Sequence, residues 1–132
     1  MLFKYEVETD KRETFINIDS LIRQTLDECK LKAGIITVFT PHTTAGITIN
    51  ENADPDVVKD LVYGMNITFD NKEEYQHAEG NSDSHMKSSL VGESETLIVE
   101  NGKVIYGTWQ SMYFAEFDGP RTRTVYIKVI KG

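Results

Sequence analysis

The stretch SETLIVENGKVIYG, residues 94–107, carries the strongest local folding signal in the chain. Two runs rich in β-branched and other apolar residues flank the pair Asn101-Gly102. Asn-Gly is the preferred pair for a two-residue turn between antiparallel strands, because both positions tolerate positive φ. The stretch therefore predicts a β-hairpin, and with it a sheet that is at least partly antiparallel.

Further strand patterns lie on both sides of this hairpin. The first eighteen residues alternate apolar and polar side chains in two runs joined by a short charged turn, which predicts a second hairpin. Two short runs in the middle of the chain and two near its end are rich in β-branched and aromatic residues, as strands are. The predicted strands cover residues 2–9, 12–18, 34–40, 45–50, 110–117 and 122–130.

Helical patterns interrupt the strands. A first helix follows Asp19 or Ser20 as its cap and stops at Gly34. Asp54 caps a second helix with Pro55 at its first position, where a missing N–H costs nothing. Ser82 caps a short third helix that Gly92 ends, and residues 67–80 before it show no periodicity, as in a long functional or mobile loop.

The chain begins with predicted strands, the predicted helices are inserted between later strands, and no βαβ alternation runs through the sequence. This order predicts the α+β class: a mainly antiparallel β-sandwich with two to three inserted helices. A length of 132 residues fits one domain, residues 1–132, with a sizeable hydrophobic core. There is no internal repeat and no low-complexity segment.

Composition narrows the classes of function. The net charge of −7 argues against nonspecific binding to nucleic acid or to an anionic membrane. The one cysteine, Cys29, excludes an internal disulfide framework and a cysteine-rich zinc site. No signal-peptide pattern and no apolar run long enough to span a membrane is visible, so we expect a cytoplasmic protein.

The three histidines form the first candidate site. His42 follows a proline at the end of a predicted strand, and His77 and His85 come from the irregular loop and the next helix. If they converge, three imidazoles hold a divalent metal and leave positions open for water or substrate. Asp83 and Glu79 add carboxylates on the same segment. The spacings match no compact zinc motif, and a polar loop leading into a helix would look the same.

Other polar residues are typical of an anion site. Hydroxyl groups beside His42 and at the start of the third helix suit a phosphate group, as do a lysine on that helix and two arginines on one side of the last strand. An exposed helix face and arginines paired with neighbouring acids are the alternatives. The candidate phosphate-binding residues are Thr43, Thr44, Asn50, Glu51, Lys87, Ser88, Ser89, Arg121 and Arg123.

Three blocks of sequence resemble one known family. They are HTTAGITINENADPDV at 42–57, HAEGNSDSHMKSS at 77–89 and GTWQSM at 107–112. Together, and in this order, they are similar to the motifs of the YjbQ-like family, whose members are often described as secondary thiamine-phosphate synthases. Trp109 in the last block is expected to be a packing anchor.

The resemblance implies a jelly-roll-like sandwich that assembles as a homotrimer, with clefts near the subunit contacts. It also implies a transfer reaction that joins hydroxymethylpyrimidine diphosphate to thiazole phosphate and releases pyrophosphate. Cations must neutralise the departing pyrophosphate, and a divalent metal with Lys87, Arg121 and Arg123 supplies them. Glu116 or Glu79 is the expected acid or base.

At three histidines, zinc or another transition metal is expected over magnesium, which prefers oxygen ligands. Two other functions fit the same residues. One is metal-assisted hydrolysis of a phosphoester; the other is a non-enzymatic trimeric protein that binds an anionic metabolite.

Overall fold

A computed structural model describes residues 1–132. It contains eight strands and three helices. The strands are β1 (Leu2–Glu8), β2 (Thr14–Asn17), β3 (Gly34–Phe39), β4 (Ala45–Glu51), β5 (Ser94–Glu100), β6 (Lys103–Val104), β7 (Gln110–Glu116) and β8 (Thr122–Lys131). The helices are α1 (Asp19–Cys29), α2 (Pro55–Thr68) and α3 (Ser82–Val91).

The strands form two antiparallel sheets. The larger has the order β1-β8-β3-β5-β6, and the smaller has the order β2-β7-β4. The α+β class and the antiparallel pairing predicted from the sequence are therefore confirmed. None of the three helices is long and apolar enough to cross a membrane.

One hydrophobic core joins the two sheets and α1. Alternate residues of the larger sheet, such as Ile36 and Val125, pack in the same cluster as Ile47 and Phe114 of the smaller sheet. Ile22 of α1 belongs to this cluster as well. Alternation along each strand thus places one face of each sheet in the core, as the period of two requires.

The hairpin predicted at Asn101-Gly102 is confirmed. Both turn residues have positive φ, at 53° and 75°, as a two-residue turn of the I′ type needs. The strand after the turn is short, since β6 comprises only Lys103 and Val104.

The hairpin predicted for the first eighteen residues is wrong. β1 pairs with β8 in the larger sheet, whereas β2 pairs with β7 in the smaller one. The alternating pattern fixes which face of a strand is apolar, but it does not fix the partner. The charged segment at 9–13 carries the chain from one sheet to the other.

Two of the predicted helix caps are wrong, and one is confirmed. Asp54 accepts a hydrogen bond from the Asp56 backbone N–H at 2.9 Å, as predicted. Asp19 instead accepts bonds from the Tyr106 hydroxyl and the Met112 N–H, at 2.8 and 3.0 Å. Neither Asp19 nor Ser82 occupies the cap position of its helix, which falls at Ile18 and Asn81.

Two more local predictions need correction. α1 ends at Cys29, where Lys30 adopts the left-handed conformation, and Gly34 already belongs to β3. Trp109 is 60% exposed in the single chain, so it is not a packing anchor there. The large apolar ring lies in a turn before β7 and belongs neither to the main core nor to a second, smaller cluster that Phe15, Tyr113, Ala115 and Phe117 form.

Candidate functional site

A polar cavity of about 250 Å³ lies where the β3–β4 connection, the start of β8 and the start of α3 meet. Its wall contains no hydrophobic side chain other than a proline ring. The lining residues are Pro41, His42, Thr43, Thr44, Glu79, Asn81, His85, Asp118, Arg121 and Arg123. We call it the His42 cavity.

His42 is fixed by the neighbouring strand. Its Nε2 accepts a hydrogen bond from the Thr124 backbone N–H at 2.9 Å. A backbone N–H can donate a hydrogen bond only to an unprotonated ring nitrogen. The proton of the neutral imidazole therefore lies on Nδ1. Burial, and then the charge of Arg123, lower the pKa of His42, which favours this neutral form. No protein group meets Nδ1. His42 is therefore a hydrogen-bond donor toward the cavity.

Arg123 is the second fixed group, and only 2% of its surface is exposed. Its Nε donates to Glu116 Oε1 at 2.8 Å, and its Nη2 donates to Glu116 Oε2 and to Thr44 Oγ1. Nη1 donates to no protein acceptor, and it remains accessible to solvent. Since Arg123 lines the cavity, the two N–H groups of Nη1 remain free to bind a ligand there.

Glu116 orients this arginine from behind. It is fully buried and also accepts bonds from Thr9 Oγ1 at 2.8 Å and from the Asp118 N–H at 3.0 Å. Burial alone would raise the pKa of Glu116, but the bonds from Arg123 and these donors lower it below the ordinary value. Glu116 is thus an ionised partner of Arg123 and does not line the cavity. Its predicted role as acid or base stays a prediction.

The other arginine of the pair lies at the rim. Arg121 donates from Nε to the Asp118 carbonyl at 2.9 Å and from Nη2 to Asp118 Oδ2 at 3.2 Å. Asn81 donates to the same carboxylate oxygen at 2.8 Å, while its own Oδ1 is buried without a partner. Asp118 was not singled out from the sequence, although its place in the turn before the arginines was a usable signal.

The three histidines come together only in part. His42 and His85 line the same cavity. His77 lies on the far side of His85, with ring centroids 5.2 Å apart and planes at 89°. No group of three or more His, Cys, Asp or Glu side chains lies close enough to hold a metal ion. Because Nε2 of His42 already accepts a backbone bond, these residues as placed do not fit a three-histidine metal site.

Asp83 and Lys87 lie on the buried face of α3, where they form an ion-pair cluster. Lys87 Nζ donates to Glu13, to Asn66 Oδ1 at 2.6 Å and to Asp83 Oδ2 at 3.3 Å. Arg12 donates to Asp83 at 3.1 Å, and this bond and the one from Lys87 lower the pKa of Asp83 against the opposing effect of burial. Neither predicted site residue reaches the His42 cavity.

The remaining predicted residues are spread over three places. Thr43, Thr44 and Glu79 line the His42 cavity. Ser88 is buried and donates to the Ala45 carbonyl, whereas Ser89 lies on the opposite face of α3. Asn50 and Glu51 lie at the far end of β4, which at about 3.3 Å per residue is roughly 20 Å from its start beside His42.

Comparison with known proteins gives a consistent family. A family model described as UPF0047 protein YjbQ-like matches residues 3–132. UPF0047 protein MJ1081 of Methanocaldococcus jannaschii is 52% identical over 130 residues, which cover 98% of this chain and 94% of the relative. UPF0047 protein YugU of Bacillus subtilis is 50% identical over 131 residues, with 98% and 99% covered.

Solved structures agree. The crystal structure of an uncharacterized YjbQ/UPF0047 family protein from Clostridium acetobutylicum has a TM-score of 0.94 and 49% identity, and covers 97% of this chain and 99% of that one. A conserved hypothetical protein from Thermus thermophilus has a TM-score of 0.90 and 37% identity, with 97% and 99% covered. On sequence and fold together, this chain belongs to the UPF0047 YjbQ-like family.

Proposed function

We propose that this protein acts on a small phosphorylated molecule whose phosphoryl group binds in the His42 cavity. The observation that carries the proposal is the buried guanidinium of Arg123, which lines the cavity, is held by Glu116 and has no protein acceptor at Nη1. A charged group that is buried, oriented and left with unused donors is preorganised for an anion. The Nδ1–H of His42 and the hydroxyl of Thr43 add donors on the same wall.

Calorimetric titration with inorganic phosphate and with pyrophosphate tests this proposal. Arg123→Lys keeps the positive charge but loses the planar fork, so we expect binding to weaken about tenfold or more. Arg23→Lys, an exposed position on α1, is the matched control and should bind as the wild type does. Equal affinity in all three proteins would contradict the proposal. Melting temperatures identify a variant that fails to fold.

The transfer reaction implied by the family resemblance is the finer form of the proposal. The thiazole nitrogen attacks the methylene carbon of the pyrimidine diphosphate, the C–O bond breaks, and pyrophosphate leaves with the bonding electrons. Arg123 and Arg121 would neutralise charge that develops on pyrophosphate, which supports this chemistry. Phosphorus NMR distinguishes the three functions. Release of pyrophosphate favours transfer, and release of orthophosphate from simple esters favours hydrolysis. Binding without turnover favours the non-enzymatic function.

Metal dependence is a second candidate, and one observation favours it. His77 Nε2 lies 3.9 Å from Glu79 Oε2, and His85 packs against His77, so two imidazoles and a carboxylate are neighbours. A zinc or other transition-metal site at these residues requires the loop before α3 to bring them closer. Metal analysis of protein purified without chelators, compared with His77→Ala and His85→Ala, decides between a bound ion and none.

The homotrimer is likewise a proposal, and the outer face of the larger sheet supports it. Ile98, Ile35 and Ile130 pair across β5, β3 and β8, and all three are exposed. Ile105, bonded through its N–H to the Ile98 carbonyl, extends this row. A row of exposed isoleucines is unusual on a monomer and typical of a surface that another subunit covers. A jelly-roll-like arrangement and a cytoplasmic location stay predictions.

A further inference from the structure

A second cavity lies next to the His42 cavity, and the side chain of His85 separates the two. It has a volume of about 490 Å³ and a mixed wall in which Phe69, Met86 and Leu90 are the apolar members. The full lining is Phe69, His77, Ser82, His85, Met86, Ser89 and Leu90. His85 lines both cavities. We call the second one the Met86 cavity.

The Met86 cavity exists because α3 is inverted relative to an ordinary amphipathic helix. Its inward face is polar, and the residues buried there are Asp83, Ser84, Lys87 and Ser88. Each makes a hydrogen bond, for example Ser84 Oγ to the Phe117 carbonyl at 2.6 Å. The apolar Met86 and Leu90 consequently point away from the core, and Leu90 is 66% exposed. Polar residues inside and apolar residues outside break the usual pattern, as functional sites often do.

The loop before α3 forms the opposite wall. Phe69 directly follows α2, and the Tyr75 hydroxyl approaches Met86 Sδ at 3.4 Å. His77 stands edge-to-face against His85. The cavity is therefore an open slot between a helix and a loop, with an aromatic ring, two imidazoles and a thioether on its surface. Such groups favour a flat apolar ligand, through ring packing and sulfur–aromatic contacts.

We propose that the two cavities are one binding site for a ligand with two ends. The anionic end occupies the His42 cavity, and an apolar, preferably aromatic, group occupies the Met86 cavity, with His85 between them. The proposal rests on the proposed function, because it assigns the phosphoryl group to Arg123 and His42. It adds the position of the part that is not phosphate and the side chains that contact it.

Two non-hydrolysable probes, methylphosphonate and phenylphosphonate, separate the ends of the site. They carry the same anionic head and differ only in the group attached to phosphorus. Because the ring removes apolar surface from water, we expect wild-type protein to bind phenylphosphonate about tenfold tighter than methylphosphonate in calorimetric titration. In Leu90→Asn this ratio should fall toward one, while the affinity for methylphosphonate stays unchanged.

Ile67→Asn is the matched control, since Ile67 is 65% exposed on α2 and does not line the Met86 cavity. It should keep the wild-type ratio. Equal binding of the two probes by the wild type overturns the inference but leaves the anion site standing. An equal loss for both probes in Leu90→Asn, or a change in its oligomeric mass, overturns the inference as well. If neither probe nor inorganic phosphate binds, the proposed function fails and the inference falls with it.

Discussion

His42 owes its chemical form to a backbone group in a different strand. The Thr124 N–H in β8 donates to Nε2, so the proton of the neutral imidazole lies on Nδ1, in a ring that lines the cavity. Protonating Nε2 would break this bond and place a second positive charge close to Arg123. The imidazole is thus a neutral donor at pH 7, and most of the attraction for an anion has to come from the arginines.

The lowered pKa of His42 predicts how stability depends on pH. The unfolded chain takes up a proton near the ordinary pKa of 6.5, whereas the folded chain resists it. The unfolded state then binds more protons, so the free energy of unfolding falls as pH drops below about 6.5 and levels off below the folded pKa. Denaturant titrations across this range should show the fall in wild type and less of it in His42→Asn. Identical pH curves for the two proteins would be incompatible with a lowered pKa.

The contacts of Arg123 also explain why the two predicted arginines lie in different environments. Arg123 lies in phase with Val125 and Ile127, so its side chain enters the protein from the core face of β8. Its buried charge is compensated there by the carboxylate of Glu116, which lies on β7 and is buried beside it. The sequence places two arginines on one side of the strand, but it does not reveal that Arg123 is buried while Arg121 remains at the rim.

At the scale of elements, α3 depends on the ion-pair cluster beneath it. Lys87 is completely buried and bonds Glu13 from the β1–β2 connection and Asn66 from α2. The cluster therefore fixes the helix that carries His85 to two other parts of the fold. Removing one partner of such a cluster leaves buried charge without compensation.

Lys87→Met tests this role. The substitution preserves the length of the side chain but removes the cation between Glu13 and Asp83, so we expect a loss of about 3–5 kcal/mol in the free energy of unfolding. Urea titration measures it. Lys59→Met, on the exposed side of α2, is the control and should change stability by less than about 0.5 kcal/mol. Similar stability of the two variants would refute a structural role for the cluster.

Local signals in the sequence predicted elements well and partners poorly. The Asn101-Gly102 turn and the Asp54 cap were confirmed because each rests on contacts within a few residues. The hairpin over residues 2–18 was wrong because pairing is decided by distant strands. The inverted face of α3 was equally hidden, since the apolar residues on its outer side are mixed with polar ones and leave no clear periodic signal.

The candidate site shows the same difference between what local sequence predicts and what tertiary contacts decide. His42, His85 and Arg123 lie on separate elements and still line one cavity, whereas His77 does not line it. Lys87 and Ser88 follow His85 closely in sequence, yet both are buried on the inward side of α3, where Ser88 donates to the Ala45 carbonyl. Proximity along the chain was therefore a weaker guide than the tertiary contacts of α3.

At the scale of the whole molecule, the exposed isoleucine row predicts self-association. Ile98→Glu places a charge in the middle of the row, beside Ile35, so we expect a trimer of the wild type to give way to monomer. Light scattering coupled to size exclusion measures the mass. Tyr63→Glu, on the exposed face of α2, is the control and should leave the mass unchanged. A wild-type monomer, or an Ile98→Glu trimer, would contradict the proposed interface.

We infer that His42 and Arg123 form an anion site in which His42 donates a hydrogen bond through Nδ1. Nitrogen NMR of the labelled histidine side chains, recorded during a phosphate titration, measures this directly. We expect Nε2 of His42 to resonate as an unprotonated nitrogen and Nδ1 as a protonated one, and phosphate to shift the Nδ1 resonance in the wild type but not in Arg123→Lys. A proton on Nε2, or an Nδ1 resonance that does not shift when phosphate is added to the wild type, would contradict an anion site at His42 and Arg123.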